Sequence, residues 1–189
     1  MSDEVQIPYL TDQMETIVSI VSEKLLTELQ TYDANILGVH YRHGHYREIC
    51  ETLKQQDGGV TTPFEKYPMV YLVEDIKFRP ANKPGFYGYV NPQLIIAYST
   101  DSNYKAEERY EKTFKPVLDK IYKELVKQVA KSGYYHIYDK REIEQPMVRR
   151  LFYGRYGLYG VEGNIFNDKV DVIEWTPQLL MYPPNECES

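Results

Sequence analysis

Cysteine is scarce in this chain: there are two in 189 residues, Cys50 and Cys187. They lie far apart, and Cys187 sits in a terminal "PPNECES" that reads as a loose tail, so no structural disulfide is expected and the usage is that of a reduced cytoplasm. Long apolar runs are missing as well. No stretch approaches the roughly 18 residues of a membrane span, and the opening "MSDEVQIPYL" is acidic without an apolar core, so the sequence predicts a soluble, unprocessed protein with no membrane partner. A polybasic run is also lacking. With a net charge of −6 and both signs interspersed, there is little to neutralise phosphates by counterion release, which disfavours sequence-specific reading of nucleic acid. An acidic surface suits DNA sliding past better than DNA being gripped. The length is that of one domain, enough to bury roughly 70% of the unfolded surface, so folding requires neither a metal nor a disulfide.

What the chain has in excess is tyrosine, nineteen of 189 residues. Each buried tyrosine needs a partner for its hydroxyl, so many should lie at half-wet positions, where protein interfaces use them for large area at low entropic cost.

The hydropathy pattern sets out an order of elements. Met14, Ile17, Val18, Val21, Leu25 and Leu29 form one face of an amphipathic helix from Asp12 to about Gln30, with Asp12 and Glu15 as a capping box and "DAN" at 33–35 as the stop. "ILGVHYR" reads as a short strand, and "YREICETL" as a short helix ended by Gly58 and Gly59. Met69 to Val73, five apolar residues in a row after Pro68, predict a strand buried on both faces at the sheet centre, and "QLIIAYS" at 93–99 a second. Between them "RPANKPGFYGYVNP" holds three prolines and two glycines, which predicts a long hairpin arm projecting at 77–92. The longest helix is expected from about 102 to 131, with Tyr110, Phe114, Val117, Leu118, Ile121, Leu125 and Val129 inward, a kink at Pro116 and a cap at Gly133. "YYHIYD" suits a strand, glycines recur at 154, 157, 160 and 163, and Val170 to Tyr182 alternates as a half-buried strand that Pro177 restricts to an edge or a bulge. The expected fold class is α+β: a mixed, mostly antiparallel sheet packed by two main helices, in one domain over 1–182 with a tail at 183–189.

Candidate chemistry is thin. "HYRHGHYREIC" holds His40, His43 and His45 with Glu48 and Cys50 behind; in an extended chain His43 and His45 share a face, with Glu48 a conceivable third ligand. A catalytic zinc needs three ligands, an open position and supporting partners, and no further cluster has ligand spacing, so the stretch reads as a polar turn in which Gly44 takes a positive φ. "GRYGLYGVEG" matches neither phosphate-loop pattern. The acidic pairs Glu74/Asp75 and Asp168/Asp171 read as strand-end and turn residues, and no serine elbow or Cys–His pair is present. Catalytic, cofactor and metal residues are therefore expected to be none.

Five stretches in order, the N-terminal amphipathic helix, "YRHGHYREICETL", "KYPMVYLVEDI", "RYEKTFKPVLDKI" and "NIFNDKVDVIEWTPQLLMY", give the chain a resemblance from about 12 to 182. It resembles the tail-terminator, or tail-completion, proteins of tailed bacteriophages, especially versions from phages of Bacteroidota including crAss-like ones. The resemblance implies a non-enzymatic virion protein of the neck or tail, made in the host bacterial cytoplasm. Copies would form a homo-oligomeric ring around the DNA path, contacting neighbouring portal, neck or tail rings, with DNA only passing through. Phe86, Tyr87 and Tyr89 in the arm, and Arg155, Tyr156 and Tyr159 in the glycine-rich stretch, are the candidate subunit-interface residues. Residues 134–166 are longer than a compact terminator needs, which leaves a long or a short tail open. Two rivals from other classes are a monomeric or dimeric host-directed adaptor and a metal-dependent hydrolase using His43 and His45.

Overall fold

The computed structural model describes residues 6–45, 66–101, 103–136, 146–151 and 169–183. The fold is α+β, an antiparallel-dominated sheet with two helices packed on it. Helix α1 (Gln6–Tyr32) starts well before the expected Asp12. Pro8 lies in its first turn, where a missing N–H costs nothing, so the helix runs on through it and the supposed capping box is mid-helix. The apolar stripe gains Leu10 at its head, and Leu10, Met14, Ile17, Val18, Val21, Leu25 and Leu29 are all buried. The stop falls where "DAN" put it: Asp33 N–H donates to Leu29 O at 2.9 Å, and the Asp33 carboxylate accepts from Asn35 N–H at 3.0 Å.

Strand β1 (His40–Gly44) pairs in parallel with β2 (Met69–Pro80), which pairs antiparallel with β3 (Gly88–Ser99). On its far side β3 is flanked by two strands end to end, β6 (Val170–Trp175) along Leu94–Ser99 and β7 (Leu179–Met181) along Gly88–Val90. Beyond these lie β5 (Met147–Arg150) on β6 and β4 (Tyr135–His136) on β7. The sequence placed Val170–Tyr182 as one edge or bulged strand. It is instead a covered strand interrupted at 176–178, where buried Pro177 supplies no ladder donor. The alternation holds around that break, with Ile173, Trp175, Leu179 and Met181 inward, but Val170 to Ile173 are buried on both faces. Met69 to Val73 and Leu94 to Ala97 are buried without exception, as continuous apolar runs require.

The second helix is not one kinked rod. A single turn, α2 (Ala106–Arg109), opens into a π-helical stretch (Tyr110–Leu118) that continues as α3 (Asp119–Lys131). Pro116 falls within the wide stretch, whose bonds span five residues, as in Asp119 N–H to Phe114 O. An i→i+5 ladder is the form in which the helix passes the proline that was expected to kink it. Phe114, Val117, Leu118, Ile121, Leu125 and Val129 face inward as expected, whereas Tyr110 is 44% exposed. Gly133 closes the helix with φ of 75°, a left-handed conformation suited to glycine. The helices pack on each other and on the sheet: Tyr122 meets the edge of Trp175 at 5.9 Å, and Ser22 Oγ accepts from Val39 N–H at 2.8 Å.

The projecting arm is largely absorbed into the sheet. Both hairpin strands run through 77–92, leaving only 81–87 as a turn, and the second strand has a partner on each side, Gly88 opposite Pro80 and also opposite Met181. The prolines fit because Pro80 ends its strand and Pro92, though buried in the middle of β3, stands where the register of the pair shifts, between Val73 and Lys77 on the partner strand.

Candidate functional site

The histidine cluster assembles less than its spacing allows. His43 and His45 are exposed, and His40 is half-buried on β1. His43 Nδ1 reaches across to Glu74 Oε1 on β2 at 2.5 Å, an ion pair when the imidazole is protonated and a hydrogen bond when it is not. Gly44 takes φ of 141°, the positive value expected of it. Glu48 and Cys50 lie outside the described residues, and among the described residues no three His, Cys, Asp or Glu side chains converge as a metal would need.

The arm candidates are held by their own chain. Phe86 stacks on Tyr182 with ring centroids 5.2 Å apart and meets His136 edge-on at 5.3 Å. Tyr87 packs on Phe78 at 5.4 Å, and its N–H donates to Met181 O at 2.9 Å. The Tyr89 ring lies under the Arg79 guanidinium at 4.9 Å. All three are half-buried. Arg155, Tyr156, Tyr159 and Asp168 lie outside the described residues.

Sequence reasoning missed the strongest polar feature. Asp171, read as no more than a strand-end or turn residue, has no exposed surface, and Arg109, unremarked in "AEERYEK", is 1% exposed. Arg109 Nη1 donates to both Asp171 oxygens, at 3.0 and 3.2 Å, and to Thr100 Oγ1 at 2.9 Å; Nη2 donates to Asp101 O at 2.7 Å and Nε to Tyr104 O at 2.9 Å. Thr113 Oγ1 stands 3.0 Å from Asp171 Oδ2 and also contacts Arg109 O. The guanidinium thus ties the start of the π stretch, the loop after β3 and β6 together. The only sequence signal was the second acid of "NDKVD" beginning a buried strand.

Over this cluster opens a pocket of about 350 Å³, lined among others by Thr100, Asp101, Tyr104, Lys112, Thr113 and Lys169. Lys112 Nζ sits 4.1 Å above the Tyr104 ring and 3.7 Å from Glu108. Among the described residues Asp101 is the only carboxylate in the lining, and it accepts Asn103 N–H at 2.8 Å.

The outermost strand beyond β6 carries a different chemistry. On β5 and just after it, Val148 and Leu151 are 47% and 46% exposed. Arg149 is clamped by the Asp119 carboxylate at 2.9 and 3.1 Å and lies 5.8 Å over the ring of exposed Tyr110, while Arg150 meets Glu174 at 2.5 Å. Both cations of the strand are thereby neutralised from within, and among the described residues β5 has a strand partner on one side only.

No protein-family model, curated protein or solved structure matches the chain. Among the described residues no helix is long and apolar enough to cross a membrane.

Proposed function

We propose that the chain is a structural protein of a phage virion, assembling as a homo-oligomeric ring in the neck or tail around the DNA path. The observation that carries this reading is the outermost strand β5, where half-exposed Val148 and Leu151 stand beside exposed Tyr110 and the intervening arginines are paired internally. Apolar groups at an open sheet edge are a liability on a monomer and an asset in an assembly. The α+β architecture accords with what the resemblance implies, and a net charge of −6 suits a lumen that DNA traverses without sticking. Because the hairpin aromatics pack on their own sheet, the edge at β5 replaces them as the leading interface candidate.

Sedimentation of the purified chain over a range of concentrations tests this, with Val148→Asp and Leu151→Asp as variants. Assembly should grow with concentration and be lost in the variants, while their thermal midpoints stay within a few degrees of the parent, since half-exposed side chains contribute little to the core. A chain that stays monomeric at high concentration and is missing from purified particles is not a ring protein; a stable one-to-one complex with a host protein would instead establish the adaptor.

A further inference from the structure

Four of the residues lining the pocket beside the π stretch are bonded directly to the buried Arg109–Asp171 pair. Arg109 donates to Thr100 Oγ1, Asp101 O and Tyr104 O, and Thr113 Oγ1 stands 3.0 Å from Asp171 Oδ2. Two further contacts set the backbone of the pocket's lysines. Thr100 N–H donates to Lys169 O at 2.8 Å, and the Tyr32 hydroxyl, at the end of α1, donates to Lys112 O at 2.6 Å. The walls are therefore in place before anything enters, as in most small-molecule sites.

Donors dominate the lining. Lys112 and Lys169 bring two ammonium groups against one carboxylate among the described residues, Asp101, which accepts Asn103 N–H of its own loop at 2.8 Å. Thr100 Oγ1 accepts from the Arg109 guanidinium at 2.9 Å, so its own hydrogen is left to give, and a hydroxyl polarised in this way is a stronger donor. Lys112 Nζ rests over the Tyr104 ring at 4.1 Å, and its pair with Glu108, at 3.7 Å and half-exposed, is too weak to keep the ammonium from a better acceptor. Ammonium and hydroxyl donors together match a tetrahedral oxyanion, which presents acceptor oxygens on every side. The volume of about 350 Å³ lies at the lower end of the roughly 300–1,000 Å³ of small-molecule sites, and a net charge of −6 without a basic run argues against a DNA backbone as the source. We propose that this pocket binds the phosphate group of a small molecule, with Lys112, Lys169 and the Thr100 hydroxyl as its donors. Such a site serves a monomer and a ring alike.

Inorganic phosphate is the probe, titrated into the full chain in NMR against chloride at matched ionic strength. Saturable shifts are expected at the Thr100, Asp101 and Tyr104 amides. Lys112→Met should weaken the affinity about tenfold, the loss of one charge-assisted hydrogen bond, and Lys112→Arg should retain much of it. Lys115, paired with Glu111 at 3.1 Å outside the lining, supplies the control: Lys115→Met should leave the affinity unchanged. Shifts that never saturate, an equal loss in Lys115→Met, or acetate bound as tightly as phosphate overturns the site. Displacement of phosphate by a short DNA duplex, dependent on Lys112, overturns its assignment to a small molecule. Should Lys112→Met fail to fold, Lys169→Met carries the same expectation.

Discussion

Asp171 and Arg109 show what one pair of charges does inside this sheet. With five donor contacts from the Arg109 guanidinium and a further one to Asp171 from Thr113, the pair holds a helix to a strand. Removing one end leaves a charge stranded where no water reaches it. Asp171→Ala should therefore lower unfolding stability by about 3–5 kcal/mol in urea titration, whereas Arg109→Met with Asp171→Leu should recover much of that loss. A loss below 1 kcal/mol for Asp171→Ala would show that the site is hydrated. Tyrosines supply a second test. Burial, and then neighbouring acids, raise the phenols of Tyr41 and Tyr98 above the ordinary value near 10, and burial does the same to Tyr135. The neutral form is favoured in the folded state, so this stabilisation is whole below pH 10 and drains away as the pH climbs from there toward the folded values. Ultraviolet titration should show these three phenols ionising together with unfolding above pH 10, not gradually at it. Half of this was legible: the tyrosine excess announced itself, but a buried arginine among "AEERYEK" looks like any surface charge, because its partner is 62 residues away.

At the scale of elements, the periodic segments were read well and the punctuated ones poorly. Both inward helix faces came from spacing alone, since a stripe at three and four residues has one physical solution. The ends at 33–35 and Gly133 also came out as expected, but the start of α1 and the hairpin did not, because Asp12 with Glu15 was read as a capping box and the prolines and glycines of 77–92 as an irregular arm. Pro8 sits in a first turn, Pro116 in a π stretch and Pro80 at a strand end, positions where each is tolerated. Gly88 is in the strand for a different reason: a Cβ there would lie 2.2 Å from the Phe78 ring. Gly88→Ala should cost about 1–3 kcal/mol by overpacking. Phe86→Ala should cost about 1–2 kcal/mol, roughly half of what a fully buried ring contributes, since Phe86 rests on Tyr182 and His136. If thermal melts of both variants overlay the parent, the hairpin is not held by the sheet as described.

At the scale of the whole molecule, the two ends of the sheet order differ in character. β1 closes one end with His43 paired to Glu74 and with α1 leaning on it, and β5 closes the other with its apolar side chains half open. The tyrosine excess predicts an extensive interface without saying where, and the arm aromatics named for it pack on their own sheet, while the half-exposed Val148 and Leu151 lay in a stretch with no distinguishing pattern. Tyr110, expected inward, is displaced to the surface by the wider winding of the π stretch, and its ring lies beside the Arg149 clamp.

The split strand beside β3 also sets an order on synthesis. β3 is made early, yet its second flank, β6 with β7, comes from the last described part of the chain, and with it comes the carboxylate that Arg109 requires. Until Asp171 has emerged from the ribosome, the nascent chain carries a completed hairpin with one bare edge and an arginine lacking its counter-charge. The centre of the sheet is therefore among the last parts of the protein to become native, and a chain cut short before Val170 should be recovered as aggregate rather than as a smaller folded form.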